Sequence, residues 1–304
     1  MLTYIAIDVS SAAKLLLTLG ICSCTGMQRL FSYDQELRSV DIHLMAKDKR
    51  KGKLLGGVVL TVSGAAALGV MATIDPHRNG PLQYLAVSFL LSFDCLITLQ
   101  FVLLVLELWV RFRSLNANLL EELPAPVEIL PAPVARSPPE PGRLRQLLGA
   151  YAALRRAAGF LQGHFGLPVA FSVAHSLCCS TASSYELLLV QIRSRWVSRL
   201  PLSPSPANSA MWLTYHWLKL TTMALSCAAL KEEASATGDH LLKASVLYER
   251  RRHELEGFLR LATYGQPLSF SAAGFLNVDR RLLVSALAIL VTYLVILGQF
   301  TPRQ

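Results

Sequence analysis

The sequence predicts an all-α polytopic membrane bundle, and three observations carry that prediction. Of its 304 residues 53% are hydrophobic and 16% charged, whereas soluble domains carry about 25% charged residues. Several apolar runs reach the ~20 residues that a helix rising ~1.5 Å per residue needs to cross hydrocarbon. The 29 Lys and Arg residues gather in alternate loops, as the cytoplasmic bias of basic loops demands.

Taken in order, the first candidate span, Leu2–Cys22, is weakly apolar and holds Asp8 and Lys14. It lacks the basic leader of a signal peptide. The polar stretch Arg29–Lys53 carries seven basic residues and ends in Lys47, Lys49, Arg50, Lys51 and Lys53. Leu54–Ile74 is rich in Gly, Ala and Val, small residues that let membrane helices approach closely. After Asp75, Pro76 and Gly80 comes Leu82–Val110, which ends on an interfacial Trp109 and on Arg111 and Arg113; its length implies tilt or protrusion.

The loop 121–143 contains LPAPV twice, so it is expected to be an extended, polyproline-like cytosolic linker, with a ligand for a Pro-binding module as the sharper reading. Leu144–Leu161 is amphipathic and leads into the span Phe165–Ile192, which carries His175, Ser180 to Ser184 and Glu186. A Pro/Ser turn precedes the fifth span, Ser209–Leu230. Residues 1–230 are thus read as the bundle and 231–281 as a cytosolic helical anchor, with an amphipathic helix around Leu255, Phe258, Leu259 and Ala262. A lone helix lying on the membrane surface is the alternative there.

The final span, Leu282–Phe300, contains no charge, and Ser285, Thr292 and Gln299 recur at seven-residue intervals. Those three share a face. Spacing leaves two uses open, interhelical hydrogen bonds or the lining of a water-filled path.

Three loops, Arg29–Lys53, Arg111–Arg156 and Lys231–Arg281, hold 22 of the 29 basic residues. Facing them to the cytoplasm puts both ends of this six-span chain outside. The net charge of +9 then reflects topology, so the lipid bilayer is an expected partner and nucleic acid is not. An external C-terminus also argues against a G-protein-coupled receptor, and neither D-R-Y nor N-P-x-x-Y is present.

No catalytic constellation emerges: the chain has no G-x-S-x-G, no phosphate-cradling Gly loop and no H-E-x-x-H. Cys22, Cys24, Cys95, Cys178, Cys179 and Cys227 lie in or beside apolar stretches, with no C-x-x-C pair and no His cluster at zinc spacing. The expectation is a non-enzyme with packing thiols, no metal and no cofactor.

Intramembrane charges cost roughly 2.5–3.5 kcal/mol at the bilayer centre and are expected to face the bundle interior. Asp94 and Lys219 could pair, or Asp94 could turn to a polar pocket wall while Lys219 snorkels to an interface. On the fifth span Trp212, Tyr215, His216 and Lys219 follow i, i+3, i+4, i+7 spacing and share one face. With Tyr84, Tyr185 and Glu186 at similar depth, they form a candidate wall for a small organic ligand. An interfacial aromatic belt is the plainer reading.

The sequence also resembles the insect gustatory receptors. The likeness rests on Thr292-Tyr293, five residues, then Gln299-Phe300; on the lead-in Phe270-Ser271-Ala272-Ala273-Gly274-Phe275 with Arg281-Leu282-Leu283; and on Arg111-Phe112-Arg113-Ser114-Leu115-Asn116. The resemblance implies a seven-span tastant-gated cation channel in the plasma membrane, of which this chain would lack the first helix. It implies four like or unlike subunits around a pore lined by the last helix, with Ser285, Thr292, Tyr293, Gln299 and Phe300 as pore residues and Gln299 and Phe300 at the outer mouth. A secondary transporter using Asp94 and Glu186 as coupling sites, or a truncated non-conducting membrane protein, are the alternatives.

Overall fold

The computed structural model describes residues 27–44, 49–73, 81–123, 142–194, 206–247, 252–263 and 268–299, with isolated positions 16 and 20. The elements run α1 (Met27–Leu44), α2 (Lys49–Thr73), α3 (Pro81–Glu122), α4 (Arg143–Ser194), α5 (Pro206–Leu247), α6 (Arg252–Thr263), β1 (Ser271–Ala272), β2 (Leu276–Asn277) and α7 (Arg280–Gln299). Apart from Leu16, Gly20 and Leu123, the first predicted span and the LPAPV repeats lie outside the described residues, as do Cys22, Cys24 and Phe300.

Four described helices are long and apolar enough to cross a membrane: those containing Leu55–Ala72, Tyr84–Glu122, Arg143–Val190 and Arg280–Gln299. The fifth predicted span, 209–230, is the first half of α5. Two boundaries expected from the sequence disappear. The amphipathic stretch 144–161 and the span 165–192 are one 52-residue helix despite Pro168 inside it. The span 209–230 continues without a break into the expected anchor, giving 42 residues. A change from apolar to polar composition marks where a helix leaves the bilayer; it does not end the hydrogen-bond ladder. Both α3 and α5 begin on a proline, whose missing N–H is harmless in the first turn.

The main core runs from within the apolar spans into the helix extensions that follow or precede them. Phe101, Leu108, Phe112, Leu115 and Leu119 of α3 meet Leu154 and Leu161 of α4, Leu220, Met223 and Leu230 of α5, and Phe258 of α6. In water, apolar faces drive helices together; in lipid that drive vanishes and packing relies on close approach. The second, smaller cluster is accordingly built around Ala67, Val70, Leu91 and Tyr215. There Gly56 faces Leu103, and Gly69 faces Met211 so closely that any side chain would displace it. This is the use expected of small residues in α2.

The segment Arg111–Asn116 locks the lower half. Arg111 Nε and Nη2 each donate to the Asp41 carboxylate at 3.0 Å. Phe112 meets Tyr151 edge to face, and Arg113 lies over Trp109. Asn116 donates to Glu233 O at 2.8 Å and to Glu233 Oε1 at 2.9 Å, and accepts from Thr237 Oγ1 at 2.6 Å. On α1, Tyr33 donates its hydroxyl to Leu104 O at 2.9 Å. Burial first, and the Glu107 carboxylate second, hold that phenol well above its usual pKa.

The aromatic and small-residue turn before the last helix is a two-residue antiparallel hairpin, pairing Ser271 with Asn277 and Ala272 with Leu276. Ala273 and Gly274 have φ of 53° and 82°, positive at both central positions of the turn, which suits the twist of the flanking strands. Gln162 of α4 clamps it: its Oε1 accepts from Ser271 N at 3.0 Å and its Nε2 donates to Ser271 Oγ at 2.8 Å. Asp279 then caps α7 by accepting from Arg281 N at 2.9 Å.

Candidate ligand site between helices α2, α3 and α5

Asp94 of α3 and Lys219 of α5 form a direct ion pair. Lys219 Nζ donates to Asp94 Oδ1 at 2.7 Å and Oδ2 at 2.6 Å, and the two side chains are 2% and 13% exposed. Of the two arrangements left open by the sequence, the structure takes the pair. A Lys219 snorkelling away from Asp94 is excluded by that burial and by the direct contact. Tyr215, one turn before Lys219, adds a hydroxyl donated to Asp94 Oδ2 at 3.2 Å. Three charged or polar groups therefore satisfy each other inside the bundle, as a low-dielectric setting requires.

A narrow cavity opens against this cluster. It is lined by Val59 and Ser63 of α2, Cys95, Thr98, Leu99 and Val102 of α3, and Tyr215, Leu218, Lys219 and Thr222 of α5. The centre of a water-sized sphere has ≈ 20 Å³ to occupy. That is room for about one water, so a larger molecule has to widen it. Its wall alternates hydroxyls and one ammonium with aliphatic side chains, a surface suited to a small molecule with its own hydrogen-bonding groups.

The other sequence-selected residues divide into two groups. Trp212 stacks on His216 with centroids 5.7 Å apart, and Tyr215 meets His216 edge to face at 5.2 Å. The face Trp212, Tyr215, His216 and Lys219 thus points inward together, as its spacing predicts. Glu186 accepts from Ser209 Oγ at 2.6 Å, about 15 Å along α5 from Lys219 at ~1.5 Å per residue. Tyr84 is half-buried in the first turns of α3, also about 15 Å from Asp94 by the same rise. Tyr185 is half-buried beside Glu186. These three do not join the ion-pair cluster.

Helix α7 stands apart from the site. Only Leu282, Ala286 and Leu290 are buried, one stripe at i, i+4, i+8. At ~100° per residue, Ser285, Thr292 and Gln299 lie roughly 100–140° away from the centre of that stripe. All three are exposed, as is Tyr293. The Thr292 hydroxyl donates to Ala288 O at 2.8 Å.

One grouping was missed by the sequence reading. His175 and Cys179 of α4 and His216 of α5 bring one nitrogen or sulfur each to within 4.8 Å of one another. The i, i+4 spacing of His175 and Cys179 was legible; their partner 37 positions further on was not.

The arrangement as a whole, long helices fused below the spans, a two-residue hairpin, then a loosely packed final helix, can be set beside known proteins. The sequence model of the family described as 7tm chemosensory receptor matches residues 26–304. The chain belongs to that family. It is 28% identical over 167 residues to the gustatory receptor for sugar taste 43a of Drosophila melanogaster, a match covering 52% of this chain and 36% of that receptor. The chain thus matches little more than a third of that relative's length. In structure it is similar to the insect olfactory receptor OR5 of Machilis hrabei in complex with eugenol, with a TM-score of 0.68 over 97% of this chain and 81% of the other at 14% identity. A second structure of OR5 gives a TM-score of 0.60 over 96% and 87%, again at 14% identity. The fold is that of the insect olfactory receptor OR5, and four of the described helices are long and apolar enough to cross a membrane.

Proposed function

We propose that this chain is a subunit of a tastant-gated, non-selective cation channel of the plasma membrane. The observation that carries the reading is the Asp94–Tyr215–Lys219 cluster, buried between α3 and α5 and open to a cavity with hydroxyl-bearing walls. A small molecule bearing hydroxyl groups would exchange its hydrogen bonds for those within the cluster and push α2, α3 and α5 apart. Binding favours opening only by preferring the wider arrangement. Sugar taste in the named Drosophila receptor supports polyhydroxylated ligands as the first class to try.

Helix α7 supplies the second half of the reading. Its packed stripe leaves the Ser285, Thr292 and Gln299 face for neighbouring subunits, and four copies around an axis would present that face to hydrated ions. Phe300 would close such a pore by dewetting, and Gln299 would contact ions as the helices separate.

The test is whole-cell and single-channel recording of the expressed chain, challenged with a panel of sugars and polyols, for wild type and Gln299→Ala. A ligand-evoked cation current whose permeability ratios or open probability change in Gln299→Ala is expected. Saturable ligand uptake without single-channel events would replace the channel by a transporter, and an unchanged Gln299→Ala current would remove α7 from the pore.

A further inference from the structure

We propose that His175, Cys179 and His216 form a binding site for a thiophilic d10 metal ion, Zn²⁺ or Cu⁺, that fastens α4 to α5. The three residues offer two imidazoles and one thiol, the donor set these ions prefer. Cys179 and His216 are buried and His175 is half-buried, in a part of the bundle where polar groups are otherwise expensive.

The geometry is close to that of a loaded site. Metal–nitrogen distances of about 2.0–2.1 Å and metal–sulfur distances of about 2.3 Å put tetrahedral ligand atoms roughly 3.3–3.8 Å apart. Cys179 Sγ already stands 3.5 Å from His175 Nε2, and all three donors fall within 4.8 Å. Closure requires His216 to move by about 1 Å, within the reach of a side-chain adjustment.

The surroundings also suit a metal ligand. The two imidazole rings meet at 5.6 Å between centroids, nearly perpendicular, and each brings a ring nitrogen close to the Cys179 sulfur. Ser176 Oγ is hydrogen-bonded to His216 Nδ1 at 3.4 Å. When that nitrogen carries the proton, the lone pair sits on Nε2, and an outer partner of this kind fixes ring orientation in metal sites. Trp212 stacks on His216 and restricts its rotation.

Binding would release the thiol proton. Three protein ligands leave Zn²⁺ a fourth position for water, whereas Cu⁺ is satisfied by three and forms a neutral centre with one thiolate. Because His216 adjoins Tyr215, an occupied site would also stiffen the wall of the Asp94 cavity. That consequence rests on the proposed ligand site; metal binding itself does not.

Purified full-length chain in nanodiscs decides the matter without any current measurement. One arm titrates Co²⁺ as a spectroscopic stand-in for Zn²⁺, reading the thiolate-to-cobalt charge-transfer band and Zn²⁺ back-competition. The other titrates Cu⁺ anaerobically against a chromophoric chelator. One ion per chain is expected in at least one arm. Cys179→Ser should abolish the charge-transfer band, Cys179→Ser and His216→Ala should each weaken binding by at least ~100-fold, and Ser176→Ala by about 10–100-fold. The proposal falls if wild type takes up neither ion stoichiometrically. It falls equally if Cys179→Ser, shown monodisperse by size exclusion, binds as tightly as wild type. Should that variant not assemble, His175→Ala at the half-exposed position supplies the same comparison.

Discussion

Breaking the Asp94–Lys219 pair from one side should cost far more than removing both charges together. At 2.6 Å and an effective dielectric of about 20, the attraction is about 6 kcal/mol. Desolvating two ions costs several kcal/mol each, so the pair is close to neutral against an apolar replacement. Removing one partner is different. Asp94→Asn leaves the Lys219 ammonium, 2% exposed, without its counter-charge, and a loss of about 3–5 kcal/mol is expected. Lys219→Met leaves the carboxylate with the Tyr215 hydroxyl and should cost somewhat less, since Asp94 is 13% exposed. The double variant should recover most of that loss, so the two single effects should be strongly non-additive. The assay is apparent thermal unfolding of the detergent-purified chain across the four members of the cycle. Single variants within about 0.5 kcal/mol of wild type would refute the view that these charges are desolvated and mutually dependent. Recording currents from the stable double variant then asks the functional question separately: a ligand response of normal sensitivity would remove the pair from the ligand site while leaving its structural role intact.

Gln162→Leu deletes all three side-chain hydrogen bonds to Ser271 and leaves a backbone N–H of the hairpin unpartnered by that side chain; a loss of about 1–3 kcal/mol is expected, read as a lower apparent Tm and faster amide exchange at Ser271. Ala273→Gly should stabilise by about 0.5–1 kcal/mol, because φ of 53° costs alanine about 1–2 kcal/mol and glycine returns about half of that as chain entropy. An unchanged or lower Tm would mean that the turn relaxes elsewhere. Tyr33→Phe loses the hydrogen bond to Leu104 O and should cost about 0.5–1.5 kcal/mol. In wild type, the raised pKa of this phenol means its contribution is intact below the unfolded value of about 10 and is lost as pH rises beyond it. Tyr33→Phe should therefore flatten the alkaline limb of a stability–pH profile.

Helix identity and the inward turn of Asp94 and Lys219 were legible in the residue order, because each depends on local periodicity and on the free energy of moving a residue between water and lipid. The face Trp212, Tyr215, His216 and Lys219 is a case: four positions at helical spacing share a side whatever they touch. The motif Arg111–Asn116 and the turn Phe270–Phe275 were likewise visible as family likenesses, though not their work. Tertiary structure decided that the first clamps α3 to α1 through Asp41 and to α5 through Glu233 and Thr237, and that the second is a hairpin held by Gln162.

Partners more than a hundred positions apart were beyond sequence reasoning. Whether Lys219 meets Asp94 or escapes to an interface depends on a few ångströms of helix translation, which no single-helix pattern encodes. The same holds for His216 beside His175 and Cys179. The span limits read from composition report where a helix meets water, while the hydrogen-bond ladder of α4 and α5 runs on through that boundary. The sequence by itself determined which segments are helical and apolar and which faces must be buried, through local energetics. Only the packed bundle decided which buried groups meet, because that depends on the relative placement of whole helices.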